Sequence, residues 1–294
     1  MHIRPRAILI PALIAVTLGL AMSWAAGSIM MRGRASAVGA AQAPARDIAL
    51  RTADGLRLTA TYRPGAKPDS PGVLLLHGVD ASRAATAANA EWLAAQGYAT
   101  LAIDFRGHGQ SDITPRSFGL REALDARAAF DWLKHQQNGA KVAIIGISLG
   151  GAARLIGEDG PVPADALILQ AVYPDIRHAI RNRIAARLTN VPAYLLEPLL
   201  SYQSRIRLGV SPERLSPLAA LPRYKGPVLV IGGMEDRSTP PDESRALFAA
   251  ATAPRSLWLV PHGDHAEISD LKHDVYRAHV LAFLRQVMPA GSSR

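Results

Sequence analysis

Six short, largely apolar runs recur along the chain: Val73 to Leu76, Thr100 to Ile103, Val142 to Ile145, Ala166 to Leu169, Val228 to Ile231 and Leu257 to Val260. Stretches of helical character separate them, such as Ala84 to Gln96 and Ala123 to His135. A strand that is apolar at every position is buried on both faces, and its alternation with helices predicts an α/β fold with a mostly parallel central sheet flanked by helices. Ahead of these runs, Ile48 to Thr52 and Leu56 to Tyr62 alternate more openly and are joined by Asp54-Gly55, a turn dipeptide, so a hairpin is expected to open the domain. In such sheets functional groups gather at the carboxyl ends of the strands, and every motif described below follows a strand.

The amino terminus has a different pattern. Residues Ala7 to Met31 carry no charge, with Arg4 and Arg6 before them and Arg32 and Arg34 after. A helix needs about 20 apolar residues to cross the hydrocarbon layer, whereas the apolar part of a cleaved signal usually has roughly 7 to 15. Residues 1–34 are therefore read as an anchor or signal segment. An uncleaved anchor holding the catalytic domain outside the cytoplasm is favoured over secretion after cleavage near Ala35-Ser36-Ala37. Residues 35–46, rich in Ala, Gly and Pro, read as a linker.

Composition narrows the chemistry. The 294 residues include no cysteine, which excludes disulfides, a thiol nucleophile and thiolate metal sites. The net charge of +9 raises the question of nucleic acid, but its excess is local. Between Arg177 and Lys225 there are nine basic residues against two acidic ones, interleaved with Leu, Ile and Ala rather than with aromatics that would stack on bases. No nucleic-acid partner is expected.

The strongest chemical signal is Gly146-Ile147-Ser148-Leu149-Gly150-Gly151, between the strand at Val142 and a helical start at Ala152. A serine on so sharp a strand-to-helix turn needs small neighbours two residues to either side, and it stands exposed above the sheet as a nucleophile. A serine hydroxyl needs a histidine to take its proton and a carboxylate to hold that histidine. Asp236, in Gly232-Gly233-Met234-Glu235-Asp236, and His265, in His262-Gly263-Asp264-His265, follow the next two strands in the required order. His262 is the rival base. Glu235 and Asp242 are the rival acids, Asp242 having a sufficient explanation as a helix cap. His77-Gly78-Val79-Asp80 supplies a glycine turn facing the nucleophile, so the backbone N–H groups of Val79 and Leu149 are the expected oxyanion donors, each worth roughly 3 kcal/mol. His77 reads as a turn residue.

Together His77-Gly78, the segment from Asp104 to Ser111, the Ser148 turn, Asp236 and His265 resemble the α/β-hydrolase superfamily, in particular the branch of monoacylglycerol lipases, serine aminopeptidases and small membrane-tethered esterases. The resemblance spans residues 47–288, with 289–294 as a tail. It implies a helical cap inserted at about 172–225, a loop from Asp104 to Ser111 that shapes the site beside the nucleophile, and chemistry without a metal or organic cofactor. The expected activity is hydrolysis of carboxylic esters or thioesters through an acyl-enzyme. An amidase or peptidase with the same triad, and a non-catalytic tethered binding protein, are the alternatives. The expected partners are a small-molecule or lipid-like acyl substrate and the membrane, reached through the N-terminal helix and through a cap in which Arg177, Arg181, Arg183 and Arg187 recur among apolar residues.

Overall fold

The computed structural model describes residues 5–252, 254–265, 268 and 273–290; residues 1–4 of the anchor segment and 291–294 of the tail lie outside the described residues. The elements run α1 (Pro5–Met30), β1 (Arg46–Arg51), β2 (Arg57–Arg63), β3 (Gly72–Leu76), α2 (Ala87–Ala95), β4 (Ala99–Ile103), α3 (Glu122–Gln136), β5 (Val142–Ile147) and α4 (Leu149–Ile156). They continue with β6 (Ala166–Gln170), α5 (Ile176–Ala185), α6 (Asn190–Ser201), α7 (Ser204–Arg207), α8 (Pro217–Ala220), β7 (Val228–Gly233), α9 (Pro241–Ala250), β8 (Arg255–Val260) and α10 (His273–Val287).

One eight-stranded sheet has the order β1-β2-β4-β3-β5-β6-β7-β8. Only β2 runs against its neighbours; every pairing from β4 to β8 is parallel. The period of two divides each apolar strand between two layers. Leu74, Leu76, Ile144, Leu167 and Val230 belong to one buried cluster, and Val73, Leu75, Ile145, Ile168 and Ile231 to another on the opposite face. The helical stretch expected from Ala84 begins as a 3₁₀ turn, Arg83–Thr86, before α2.

A tight web of buried charge locks the edge beside β4. Asp104 Oδ1 accepts from the Arg83 backbone N–H at 2.7 Å, and its Oδ2 is in contact with the Arg83 guanidinium and accepts from the Gln110 N–H at 2.9 Å. Arg106 is clamped between Asp54 and the fully buried Asp125. Gly109 fits this turn because a Cβ there would lie 2.1 Å from the Asp104 carboxyl carbon.

The insertion between β6 and β7 carries α5, α6, α7 and α8. Asp175 caps α5, accepting from the His178 N–H at 2.9 Å. The four cap arginines divide into two pairs. Arg177 and Arg181 both bind the buried Glu197 of α6, at 3.0 and 3.3 Å. Burial opposes ionisation of Glu197, but the Arg177 hydrogen bond ahead of the other donors holds it below its ordinary range. Arg183 and Arg187 point instead to the cavity above β5.

Only 6% of the apolar stretch of α1 is buried, and that stretch, Ile10–Met30, is long and apolar enough to cross a membrane. Its last turns rest on the cap. Ser23 Oγ donates to Leu199 O at 2.8 Å, Arg207 lies 3.7 Å over the Trp24 ring, and Gly27 leaves no room for a Cβ beside Gln203. The chain after α1 has no helix or strand up to β1, yet it is strapped to the domain. Arg116 N–H donates to Met31 O, Arg34 N–H to Gly107 O and Ser36 N–H to Gly109 O, at 2.8 to 2.9 Å. The Asp104 to Ser111 turn contributes no wall to the cavity beside Ser148; it holds the strap that does.

Candidate active site

Ser148 sits between β5 and α4 with φ 48° and ψ −108°, a strained conformation for a residue with a side chain. Its neighbours explain how the turn closes. A Cβ on Gly146 would stand 2.6 Å from Gly151 N, and one on Gly150 would stand 2.3 Å from Leu76 O, so backbone occupies both spaces. Gly78 comes close as well, its virtual Cβ lying 3.6 Å from that of Ser148. The Ser148 N–H is used by Gln170 O at 2.9 Å. Leu149 begins α4, and its N–H therefore has no acceptor inside the helix. Val79, Leu149 and Ser148 line one cavity of about 380 Å³.

Asp236 and His265 meet at the carboxyl ends of β7 and β8. His265 Nδ1 lies 2.8 Å from Asp236 Oδ2, with the carboxylate buried and the imidazole 28% exposed. The other carboxylate oxygen, Oδ1, accepts from the backbone N–H groups of Ser238 and Thr239, each at 2.8 Å. Burial works against the charge of Asp236, but the hydrogen bond from His265 and those from Thr239 keep its carboxyl below the ordinary range. Ser148 Oγ is buried without a hydrogen-bond partner, so the structure brings the acid and the histidine together and does not close the bond from histidine to serine. Free enzymes often hold such bonds open until substrate arrives.

The rivals are placed elsewhere. His262 is exposed and lies 2.7 Å from Glu235, itself exposed, so those two form a separate surface pair. Asp242 is not the cap of α9; it lies in the first turn behind Pro240 and faces Arg245 at 3.5 Å. His77 is fully buried, with Nδ1 2.7 Å from Gly78 O and Nε2 accepting from the Phe105 N–H at 3.2 Å. Both nitrogens are committed to backbone, and burial together with the neighbouring His108 pushes the ring down to about 3, so it stays neutral and serves the turn.

Thr239 is the site residue that sequence reasoning missed. Its buried hydroxyl lies 2.9 Å from Asp236 Oδ2 and 2.8 Å from His265 Nδ1, bridging acid and imidazole. Only the spacing Asp236-Arg237-Ser238-Thr239, an aspartate whose side chain folds onto the N–H groups two and three residues later, hints at it. Thr239→Val should lower kcat roughly tenfold with KM little changed, because about one hydrogen bond orienting the imidazole is lost. Thr239→Ser should restore the rate; full activity in the valine variant would reduce Thr239 to a packing residue.

Beside this site, Glu243 of α9 holds the cap through Asn182 of α5, whose Nδ2 donates to Glu243 Oε1 at 2.7 Å and to Ser238 O at 3.1 Å. Burial pushes the Glu243 carboxyl up to about 7, against the pull of the Asn182 hydrogen bond. A raised folded value means that its contribution to stability is complete below the unfolded value of about 4.5 and is lost as the pH rises through 7. Glu243→Gln, which keeps the acceptor without the charge, should therefore gain on the wild type by about 1–3 kcal/mol between pH 5 and pH 8. Urea unfolding at both pH values reads this directly, and a gap that does not change with pH would contradict it.

Residues 68–216 match the model of the family described as serine aminopeptidase, S33. An uncharacterised protein of Mycobacterium tuberculosis is 32% identical over 249 residues, covering 84% of this chain and 81% of its own. Human protein ABHD12B is 26% identical over 198 residues, covering 65% of this chain and 52% of its own. Among solved structures, an esterase of Pyrococcus furiosus superposes with a TM-score of 0.68 at 21% identity, covering 88% of this chain and 98% of that one. An esterase of Exiguobacterium antarcticum does so with a TM-score of 0.57 at 16% identity, covering 80% and 98%. At those identities the likeness is one of fold.

Proposed function

Because the chain belongs to the serine aminopeptidase S33 family of α/β-hydrolases, we propose that it cleaves carboxylic esters or thioesters through an acyl-enzyme formed on Ser148. The observation that carries this reading is the strained Ser148 turn opening on a cavity, with the Asp236–His265 pair at the same end of the sheet. His265 is the base, and Asp236 fixes its Nδ1–H so that Nε2 is free to accept. Ser148 Oγ attacks the acyl carbon as its proton passes to His265, and the N–H groups of Leu149 and Val79 receive the negative charge that develops on the carbonyl oxygen. The proton returns to the leaving alcohol or thiol. Water then attacks the acyl-serine, with His265 as base again, releasing the acid and the free serine.

The same machinery cleaves amides, and the family's description as aminopeptidases keeps that reading open. Against it, the lining of the Ser148 cavity includes the apolar Ile29, Met30, Phe118, Ile176 and Ile180, which suit an acyl chain. The reading places α1 as a retained anchor, with the domain outside the cytoplasm. Its support is the docking of Ser23, Trp24 and Gly27 on the cap and the exposed apolar side chains of α6 beside them, Val191, Tyr194, Leu195 and Leu199. An apolar helix face next to an anchor lies naturally in the headgroup boundary. The deciding measurement is labelling by a fluorophosphonate probe together with turnover of p-nitrophenyl esters and aminoacyl anilides. Ester turnover with labelling that depends on Ser148 supports the proposal. Equal labelling of Ser148→Ala removes it, and faster anilide turnover replaces it with the peptidase reading.

A further inference from the structure

The cavity above Ser148 is cationic as well as apolar in its lining. Arg32 and Arg34 from the strap after α1, Arg116, and Arg183 and Arg187 from the cap all line it, against a single carboxylate, Asp80. Asp80 is already engaged by Arg116 at 2.6 Å. The Arg116 side chain is only 5% exposed, and its Nε is buried without an acceptor. Among the described residues no carboxylate pairs with Arg32, Arg34, Arg183 or Arg187, and their side chains donate one hydrogen bond, from Arg183 to Ala179 O at 2.8 Å.

The contrast lies within the same cap. Arg177 and Arg181, on another face of the same helical segment, share Glu197 and stack on Tyr202 and Tyr194. A solvated basic face has no reason to neutralise one pair of arginines and gather the other around a serine. Beyond the Arg116–Asp80 pair, four guanidinium groups brought to one cavity from two segments of chain, three of them exposed, repel one another modestly, and an anion with several acceptor oxygens relieves that repulsion. The strap that carries two of them is built rather than loose. Arg34 N–H is bonded to Gly107 O, and Gly33 passes so close to Thr114 O and Gly107 that a Cβ would lie 2.4 Å from that carbonyl.

We infer that this cavity selects single-chain acyl esters whose alcohol part carries an acidic group, with the chain along Ile29, Met30 and Ile180 and the anion on Arg32, Arg34, Arg183 and Arg187. The segment following α1 is then part of the substrate site, and cleavage between Ala35 and the domain would remove half of the anion's partners. This specificity rests on the acyl-enzyme reading above, since it places the scissile carbonyl at Ser148.

The test uses the full-length chain in neutral detergent and two esters of one fatty acid, one of glycerol and one of glycerol 3-phosphate. The expected kcat/KM favours the phosphate ester by about tenfold, because four arginines, three of them exposed, act together on one anion. Arg32→Gln with Arg34→Gln, and separately Arg183→Gln with Arg187→Gln, should each bring that ratio most of the way to one through KM, with melting curves confirming the fold. Equal kcat/KM for the two esters in an active wild type overturns the inference and leaves the hydrolase reading intact. If neither ester is turned over, the dissociation constants of both esters from Ser148→Ala still decide: tighter binding of the phosphate ester supports the anion site, and equal binding overturns it. A preference absent in neutral detergent but present in vesicles of anionic lipid would assign the arginines to bilayer headgroups and overturn it as well.

Discussion

Alanine at Ser148 should abolish turnover, with a loss of about 10^4-fold or more in kcat, and His265→Ala should be of similar size. The two losses should not add, because without the hydroxyl there is no proton for the imidazole to take. Asp236→Asn is the more informative change. The buried carboxylate faces His265 Nδ1 at 2.8 Å, and its other oxygen is already filled by two backbone N–H groups, so an amide there would turn an NH₂ toward the imidazole. That favours the tautomer with its proton on Nε2, the atom that must accept from Ser148, and about 10^4-fold should again be lost. Single-turnover kinetics of the three variants, with circular dichroism to show that each is folded, reads this outcome. Near-normal activity in His265→Ala would transfer the role of base to His262, which the structure pairs with Glu235 at the surface.

The sheet was legible because parallel strands buried on both sides, β3 to β7, are apolar at nearly every position, a pattern that a single sequence displays; β8, at the edge of the sheet, keeps the apolar run Leu257 to Val260 although it is only partly buried. Each of the six runs lies within an observed strand; β5 extends through Ile147 and β7 through Gly233, the last residues before the Ser148 turn and the Asp236 loop. The glycine requirement at 146 and 150 was legible for the same reason, since it follows from the geometry of one local turn. What the sequence concealed depends on contacts between distant segments. Thr239 is an ordinary residue until the loop after β7 folds its hydroxyl between Asp236 and His265. The four cap arginines follow one helical rhythm on paper. Their spacing already sets Arg177 and Arg181 on one face and Arg183 and Arg187 on another, but which face meets a carboxylate depends on α6, which brings Glu197 against the first pair. The strap after α1 is rich in Ala and Gly and has no period, and its order comes from backbone N–H and C=O groups, which every sequence possesses.

Stability should depend most sharply on Asp104, a residue of the turn that carries part of the family resemblance and lies outside the proposed chemistry. Arg83 is 2% exposed, and its guanidinium is held by Asp104, with Thr61 Oγ1 at 3.0 Å, Gln110 Oε1 at 2.7 Å and Asp47 at 3.6 Å as lesser partners. Asp104→Ala would leave that charge buried without its main counterion and would strip acceptors from the Arg83 and Gln110 N–H groups. Breaking a buried pair from one side costs about 3–5 kcal/mol, far more than the pair contributes when compared with apolar residues of the same volume. For a domain of this size the melting temperature should fall by on the order of 10 °C. Replacing both partners, Arg83→Met with Asp104→Leu, should recover part of that loss, since no fully buried charge remains and Asp47, which also faces Arg83, is partly exposed and keeps Thr61 as a donor. Because Gly107 and Gly109 in the same turn hold the strap through Arg34 and Ser36, the loosened variant should also lose affinity for substrate before it loses its fold. A rise in KM at temperatures well below the melting transition is the expected sign. If Asp104→Ala melts within about 2 °C of the wild type, which is under 1 kcal/mol on this scale, the buried pair is not what secures this edge of the sheet.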